Sequence, residues 1–419
     1  MKLSKYNIIM SVSEKTDVVY NTLSDKFLFI RKGLLDSVSI DNHSSCYENL
    51  ISGGFILEES IDETKLCIEQ GRRIENDLTN AHLIINPTVN CNFNCWYCYE
   101  KHIPSKMTPE TIDNIRKLIE NLCAKSKGLT VSFFGGEPFL YYDDVMMPII
   151  KMANRIAFEK GVIFVTNCTT NGSLLSEERI QELKKYNFNF AQITLDGDRD
   201  THNKTRCYTN GKGSFDKIVE NIKLLAKNEI KVTLRINYTK DNIEGVGDIP
   251  FEFEDLSREE KKFIDVSFHR VWQETDFDSS IIEKSISNFV ETGFVASRLV
   301  LGSYCYGDLR NSVVINYNGD IFKCTAVDFE NTQRDGYLNA KGEIVWENNS
   351  LEKRMEAKYS NKPCLECKIM PICHGGCSSK PLEKGTDFCI FDFDENKKIK
   401  AVEEKLLYNI KFKWNKQLR

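Results

Sequence analysis

The sequence has no marked excess of either charge. Its 56 basic and 61 acidic residues leave a net charge of −5 at neutral pH, which excludes the broad basic footprint of a nucleic-acid binder or a polybasic membrane patch. There is no secretory signal, no apolar run long enough to span a bilayer and no low-complexity linker. These absences predict a cytoplasmic protein whose partners are neither nucleic acid nor membrane. A hydrophobic fraction of 41% with 11% aromatics describes a globular chain. At 419 residues it exceeds one ordinary core, so two or three domains are expected.

Cysteine usage is uneven. Fifteen cysteines in 419 residues fall far below the density of a secreted disulfide scaffold. In a reducing compartment, cysteines clustered at short spacings point to metal ligands. Three lie within Cys91–Cys98 and seven follow residue 300, whereas Cys46, Cys67, Cys123, Cys168 and Cys207 are scattered, and most of these read as inert small hydrophobes.

Residues 1–80 read as a small unit: short strands over Asn7–Val12, Asp17–Tyr20 and Phe27–Ile30, then helical patterns at Tyr47–Ile51 and Glu63–Arg73. Three strands followed by helices make a winged-helix-like arrangement, too small for a catalytic core and suited to docking. Over residues 81–300, apolar β-branched runs appear at His82–Val89, Leu129–Phe134, Val162–Cys168, Phe190–Leu195, Lys231–Tyr238 and Phe263–Phe268. Helical patterns separate most of them, at Pro109–Ala124, Asp143–Glu159, Ser176–Tyr186 and Phe215–Asn228, with a shorter one at Asp255–Lys262. This alternation predicts an α/β fold with a parallel sheet and right-handed crossovers, open or closed into a barrel, and a site at the C-terminal ends of its strands. Residues 301–393 break into short strands, Gly turns and cysteines. Residues 394–419 carry Ile399, Val402, Leu406 and Ile410 at helical spacing, which predicts a packing helix.

Directly after the first strand of the alternating region, Cys91, Cys95 and Cys98 form C-x3-C-x2-C. Three thiolates on a tight loop can hold three irons of a 4Fe–4S cube and leave the fourth open to a small molecule, whereas an electron-transfer cluster takes four protein thiolates. A zinc site, which wants four ligands, is the alternative. These residues resemble the radical S-adenosylmethionine (SAM) superfamily, in which the open iron chelates SAM and one electron cleaves it to a 5′-deoxyadenosyl radical. Tyr97 matches the aromatic that precedes the last cysteine in that family. Gly135-Gly136-Glu137-Pro138 follows the second strand, where family members contact the SAM amino group. Thr170-Asn171-Gly172 follows the third strand and Thr194-Leu195-Asp196-Gly197 the fourth, both matching loops that approach SAM, and Arg235 lies in the fifth strand. The resemblance thus implies Tyr97, Gly135, Gly136, Glu137, Thr170, Asn171, Asp196 and Arg235 as SAM-site residues and a partial (β/α)6 barrel. For Asp196 a turn-shaping role, and for Arg235 an ordinary ion pair, stand beside it.

The later cysteines follow a second pattern. Cys305 precedes Gly319 by thirteen intervening residues and Cys324 by four more; then come Cys364-x2-Cys367-x5-Cys373-x3-Cys377, and finally Cys389. Two S4 zinc sites would need eight thiolates, and the pattern holds seven. It resembles the SPASM extension of radical SAM enzymes. That resemblance implies one auxiliary 4Fe–4S cluster on Cys364, Cys367, Cys373 and Cys389 and another on Cys305, Cys324 and Cys377, hence three clusters in all. The second auxiliary cluster would keep an open iron unless a fourth ligand such as Cys207 closes it.

Two lineages share these motifs. Anaerobic sulfatase maturases lack a sizeable N-terminal unit and place an aspartate directly after the second SPASM cysteine; here that position is Thr325, and Asp328 is the nearest acid. Maturases of ribosomally made peptides often begin with a winged-helix recognition element, which residues 1–80 resemble. The expected function is therefore a thioether or carbon–carbon crosslink in a precursor peptide, whose leader docks on the Asp17–Ile30 region and whose electrons come from a flavodoxin or ferredoxin. An electron carrier or a zinc-binding interaction protein are the non-enzymatic alternatives. No general base is singled out among Asp308, Asp320 and Asp328, and His202 and Arg206, just after the fourth-strand motif, read as substrate-facing or as helix-capping residues, the latter favoured.

Overall fold

In the computed structural model the described residues are 1–35, 45–274, 280–297, 301–385 and 387–410. They form two compact units: Met1–Asp77 with Val300–Arg310 and Glu352–Arg419, and Leu78–Leu299 with Asn311–Leu351. Among the described residues no helix is long and apolar enough to cross a membrane.

The first unit opens with β1 (Lys2–Leu3), β2 (Asn7–Ser11), β3 (Thr16–Asn21), β4 (Lys26–Arg31), α1 (Ser45–Ser52), β5 (Ile56–Leu57) and α2 (Glu63–Glu75). Strands β2, β3 and β4 make an antiparallel sheet in that order, with Ile8 opposite Tyr20 and Met10 opposite Val18. Its alternation is apolar on both faces, so both must be covered. Val19 and Ile30 pack with Leu50 and Phe55 around α1, while Ile8, Met10, Val18 and Tyr20 pack with Leu301, Ile369, Ile372, Val402 and Leu406. The N-terminal segment read above as a separate piece therefore shares its core with the cysteine-rich C-terminal segment. The expected last helix is Glu395–Asn409; residues 411–419 of that reading lie outside the described residues.

The second unit holds an eleven-stranded sheet. Strands β6 (Asn80–Ile85), β7 (Gly128–Phe133), β8 (Ile163–Thr170), β9 (Phe188–Leu195), β10 (Lys231–Tyr238), β11 (Ile264–Arg270) and β12 (Val295–Ser297) run parallel and adjacent in chain order. Helices α3 (Pro109–Cys123), α4 (Met147–Lys160), α5 (Glu177–Lys184), α6 (Arg199–Thr205), α7 (Phe215–Lys227), α8 (Arg258–Lys261) and α9 (Ser280–Glu291) lie between strands. Their boundaries follow local chemistry: α3 starts on the Thr108 cap with Pro109 in its first turn, and α4 stops at left-handed Gly161. Buried Leu83, Val131, Ile193, Leu234 and Val266 from five strands share one core with Ile115, Ile150, Ile218 and Leu225 of the helices.

Six strands were expected and the sheet is longer at both ends. Three-residue β12 is too short to show a period. On the other side β13 (Ser312–Ile315) pairs parallel to β6 and leads into antiparallel β14 (Asp320–Phe322), β15 (Gly336–Leu338) and β16 (Ile344–Trp346). The segment 311–351 thus belongs to the sheet unit, and 352–385 with 387–410 to the other.

Candidate functional site

All the loops singled out around the first three cysteines leave the C-terminal ends of neighbouring parallel strands. The cysteine loop follows β6, Gly135–Pro138 follows β7, Thr170–Gly172 ends β8, Asp196–Gly197 follows β9, and Arg235 and Asn237 sit in β10. Buried Phe93 anchors the cysteine loop, with its ring edge-on to Tyr208 at 5.0 Å and its backbone bridged to the same residue. The amide of Cys98 donates to the carbonyl of Cys95 at 3.1 Å, closing a tight turn between two of the sulfurs.

Glu137 ties three of these loops together. Its side chain is fully buried, and Oε1 accepts from the Thr170 hydroxyl (2.7 Å) and the Phe139 amide (3.0 Å) while Oε2 accepts from the Asn171 amide (2.7 Å). Its own amide donates to the carbonyl of Asn90 at 2.8 Å. With three protein donors in place, an ammonium could meet this carboxylate only as a fourth. Gly136, at φ 23°, presses against the backbone of Val89 and Asn90 where any Cβ would overlap it, which explains a glycine there. Asn171 uses its side chain on Asn92 and Ser173, and its Nδ2 also reaches the Cys91 sulfur at 4.0 Å.

Tyr97 is the second hub. Its hydroxyl donates to Asp196 Oδ2 at 2.5 Å and accepts from Arg206 at 2.9 Å and from Asn237 Nδ2 at 3.1 Å. Arg235 reaches Asn237 Oδ1 from its Nε at 2.8 Å, so it orients that amide rather than forming an ion pair. Burial pushes the Asp196 carboxyl up to about 6 against the opposing pull of Arg206 and the Tyr97 hydroxyl. His202, fully buried inside α6 rather than at its cap, accepts from the Asp196 amide (3.2 Å) and pairs with Ser214 (3.0 Å), which shapes the turn. Arg206 caps its helix, as the sequence reading favoured, and also faces the site. Its guanidinium turns inward to Tyr97 and over the Phe93 ring at 5.8 Å. Its position nine residues beyond Gly197 carried no signal a periodicity could reveal.

Two polar atoms in this cluster are shut off from solvent without a hydrogen-bond partner, Asp196 Oδ1 and Arg206 Nε. A buried acceptor and a buried donor without partners, both on residues bonded to the Tyr97 hydroxyl, suit a ligand carrying an ammonium or hydroxyl group and a carboxylate, which SAM does. Burial, then the charge of Glu137, lifts Cys91 to about 12, and burial lifts Cys98 to about 11. Only a bound cation would make them thiolates at neutral pH. The rim is aromatic: Trp96 and Trp272 are 57% and 62% exposed, and Tyr99 stacks on Trp272 at 5.5 Å.

Residues 85–249 match the radical SAM superfamily. The chain carries a radical SAM domain. It is 24% identical over 334 residues to a cysteine-type anaerobic sulfatase-maturating enzyme of Clostridium novyi, covering 72% of this chain and 88% of that one. Among solved structures it resembles native anSMEcpe with bound AdoMet and Cp18Cys peptide (TM-score 0.58, 18% identity, 79% of this chain and 97% of that one). It also resembles Streptococcus suis SuiB bound to precursor peptide SuiA (TM-score 0.52, 14% identity, 92% and 97%). These likenesses carry the α/β fold with its parallel-rich sheet; the domain matched over residues 85–249 carries the radical SAM assignment and, with it, SAM and a 4Fe–4S cluster.

Of the later cysteines, Cys364, Cys367, Cys373 and Cys389 lie within electrostatic reach of one another: burial, then these three neighbours, lifts Cys373 to about 12. Cys305 and Cys377 belong to the same unit, whereas Cys324 belongs to the sheet unit. Asp308 ties the first two segments together. It accepts from Ser378 and from Lys358 at 3.4 Å, and its amide donates to the carbonyl of Cys305 at 3.0 Å. Among the described residues no group of three or more His, Cys, Asp or Glu forms a single-ion site. The three acids left open as bases all have structural partners: Asp308 as above, Asp320 on Arg334 at 2.8 Å, and Asp328 on the amides of Lys101 and Glu330.

Proposed function

We propose that this chain is a three-cluster radical SAM maturase that crosslinks a ribosomally made peptide through a thioether or carbon–carbon bond. Cys91, Cys95 and Cys98 would hold the SAM-binding cluster; Cys364, Cys367, Cys373 and Cys389 one auxiliary cluster; Cys305, Cys324 and Cys377 the other. When bound, cluster and SAM supply a 5′-deoxyadenosyl radical able to take a substrate hydrogen, with electrons from a flavodoxin or ferredoxin.

The residues around them bind and orient. The Gly135–Glu137 turn, braced by Glu137, offers backbone carbonyls; Arg206 Nε offers a donor to a carboxylate and Asp196 Oδ1 an acceptor to an ammonium or hydroxyl. The aromatic rim of Trp96, Tyr99 and Trp272 can flank an extended peptide.

The observation that carries the peptide reading is the N-terminal antiparallel sheet. Among the described residues no strand pairs with the outer side of β4, so an extended leader can add there by main-chain hydrogen bonds. SuiB, similar over 92% of this chain, was solved with its precursor peptide. The likeness to a sulfatase-maturating enzyme supports a second reading, formylglycine formation, against which stands Thr325 in place of the aspartate expected there.

Anaerobic reconstitution should give about twelve irons per chain and reductive formation of 5′-deoxyadenosine. Mass spectrometry of peptides encoded beside the gene then separates the readings. Loss of two hydrogens with no aldehyde indicates a crosslink; an aldehyde trapped by a hydrazide, from a cysteine that has lost its sulfur or from a serine, indicates formylglycine. Neither change, with SAM cleavage intact, would refute both.

A further inference from the structure

The segment after the third cysteine of the first loop carries a histidine that no motif accounts for. His102 Nε2 lies 3.5 Å from the Cys98 sulfur. The ring tautomer sets which of the two donates; with Cys98 as a cluster-bound thiolate, which can only accept, Nε2 would carry the proton and donate to sulfur. The ring is not there by accident of a loose loop, because each residue leading to it is fastened. The Tyr99 hydroxyl donates to the carbonyl of Thr325 at 3.0 Å, and Glu100 Oε2 accepts from the Gly136 amide at 2.8 Å. The Lys101 amide donates to Asp328 Oδ1 at 3.3 Å. Two of these anchors belong to the turn that follows Cys324. Asp328 is itself set by the Glu330 amide (3.2 Å) and Asn331 Nδ2 (2.5 Å).

Resting on the assignment of Cys91, Cys95 and Cys98 to a cluster, we propose that His102 is a positioning residue that raises the reduction potential of this cluster through its hydrogen bond to Cys98, and that the 325–328 turn holds it in place. Reduction adds negative charge that the cysteine sulfurs share, and a donor aimed at one sulfur favours the reduced form. The electron that breaks SAM has to reside on this cluster first, so the bond bears on how readily the enzyme is primed. It also links that step to the loop carrying Cys324, through Tyr99–Thr325 and Lys101–Asp328.

The test is an EPR-monitored redox titration of the full reconstituted chain, following the reduced-cluster signal that changes on adding SAM. In His102→Phe, which removes the donor and keeps a ring, the reduced-to-oxidised ratio at a fixed solution potential should fall about tenfold, equivalent to 59 mV for a one-electron couple. His102→Gln, which keeps an N–H, should stay within about threefold of wild type. Asp328→Ala, which frees the Lys101 amide, should fall in the same direction by a smaller factor. A His102→Phe ratio within threefold of wild type, or a Gln variant that falls as far as Phe, would overturn the role of the hydrogen bond; an unchanged Asp328→Ala would overturn the role of the turn. No SAM-responsive signal in the wild-type chain would refute the cluster assignment, and the proposal with it.

Discussion

Removing a single oxygen, in Tyr97→Phe, tests whether the hub on the cysteine loop holds the site together. The hydroxyl makes three hydrogen bonds, to Asp196, Arg206 and Asn237 at 2.5, 2.9 and 3.1 Å. Two involve ionised partners, at about 1.5–3 kcal/mol each, and one is neutral at about 1 kcal/mol, which sets a ceiling of about 4–7 kcal/mol. The three share one atom and are lost together, and some partners relax, so about 3–5 kcal/mol is expected. Asp196 Oδ1 is already without a partner, so losing the donor on Oδ2 leaves a buried carboxylate with none from a side chain. That favours its protonation and raises it further above about 6. Hydrogen-exchange mass spectrometry on peptides covering residues 91–98 and 204–209 reads this local stability directly. Exchange there should quicken on the order of a hundred- to several-thousandfold, since every 1.4 kcal/mol is tenfold. Tyr99→Phe is the control. It loses one half-exposed bond to Thr325 and should change exchange in the 91–98 peptide less than about tenfold. If Tyr97→Phe also stays within threefold, the hub is not what fixes the loop.

Asp196 makes stability pH-dependent. Its native carboxyl lies near 6 against an ordinary 3.8. A raised pKa means its contribution is complete below about pH 4 and is lost as pH rises to about 6; at 1.36 kcal/mol per unit this amounts to about 3 kcal/mol. Urea titrations of the metal-free chain should show the wild type losing that much relative to Asp196→Asn across this window, and parallel curves would contradict it. Gly136→Ala forces a Cβ into the backbone of Asn90 and should cost more than about 3 kcal/mol, with SAM binding weakened at least tenfold by calorimetry. Cys373→Ser removes a sulfur shared electrostatically with Cys364, Cys367 and Cys389. It should lower the iron content by about four per chain while the SAM-responsive EPR signal persists, and loss of that signal would argue against separate clusters.

Much of this was written locally in the chain. A C-x3-C-x2-C loop, a GGEP turn and a seven-cysteine pattern need only neighbours in sequence to be recognised. Strands β6–β11 announced themselves because β-branched runs alternate with amphipathic helices. The N-terminal strands were legible for the same reason, since the β2–β3 and β3–β4 turns are short. What could not be read from neighbours is where long-range contacts go. Alternation shows that β2 and β3 are apolar on both faces, but only folding reveals that the second face is covered by Ile369, Ile372, Val402 and Leu406. Four-residue β13 carries no period, and its place beside β6 follows from an open sheet edge that needed a partner. The motif marked Glu137 as a SAM-site residue; only the tertiary structure shows that its carboxylate also holds Thr170, Asn171 and Phe139. Arg206 and His102 are the converse. Neither belongs to a repeat, and each gains its role only when a buried oxygen or sulfur is brought against it. The sequence by itself thus marked strands β6–β11, the helices between them and the thiols proposed to carry iron, because propensity and spacing are local. The tertiary structure alone decided which polar groups meet, because a hydrogen bond depends on tenths of an ångström between residues far apart in the chain.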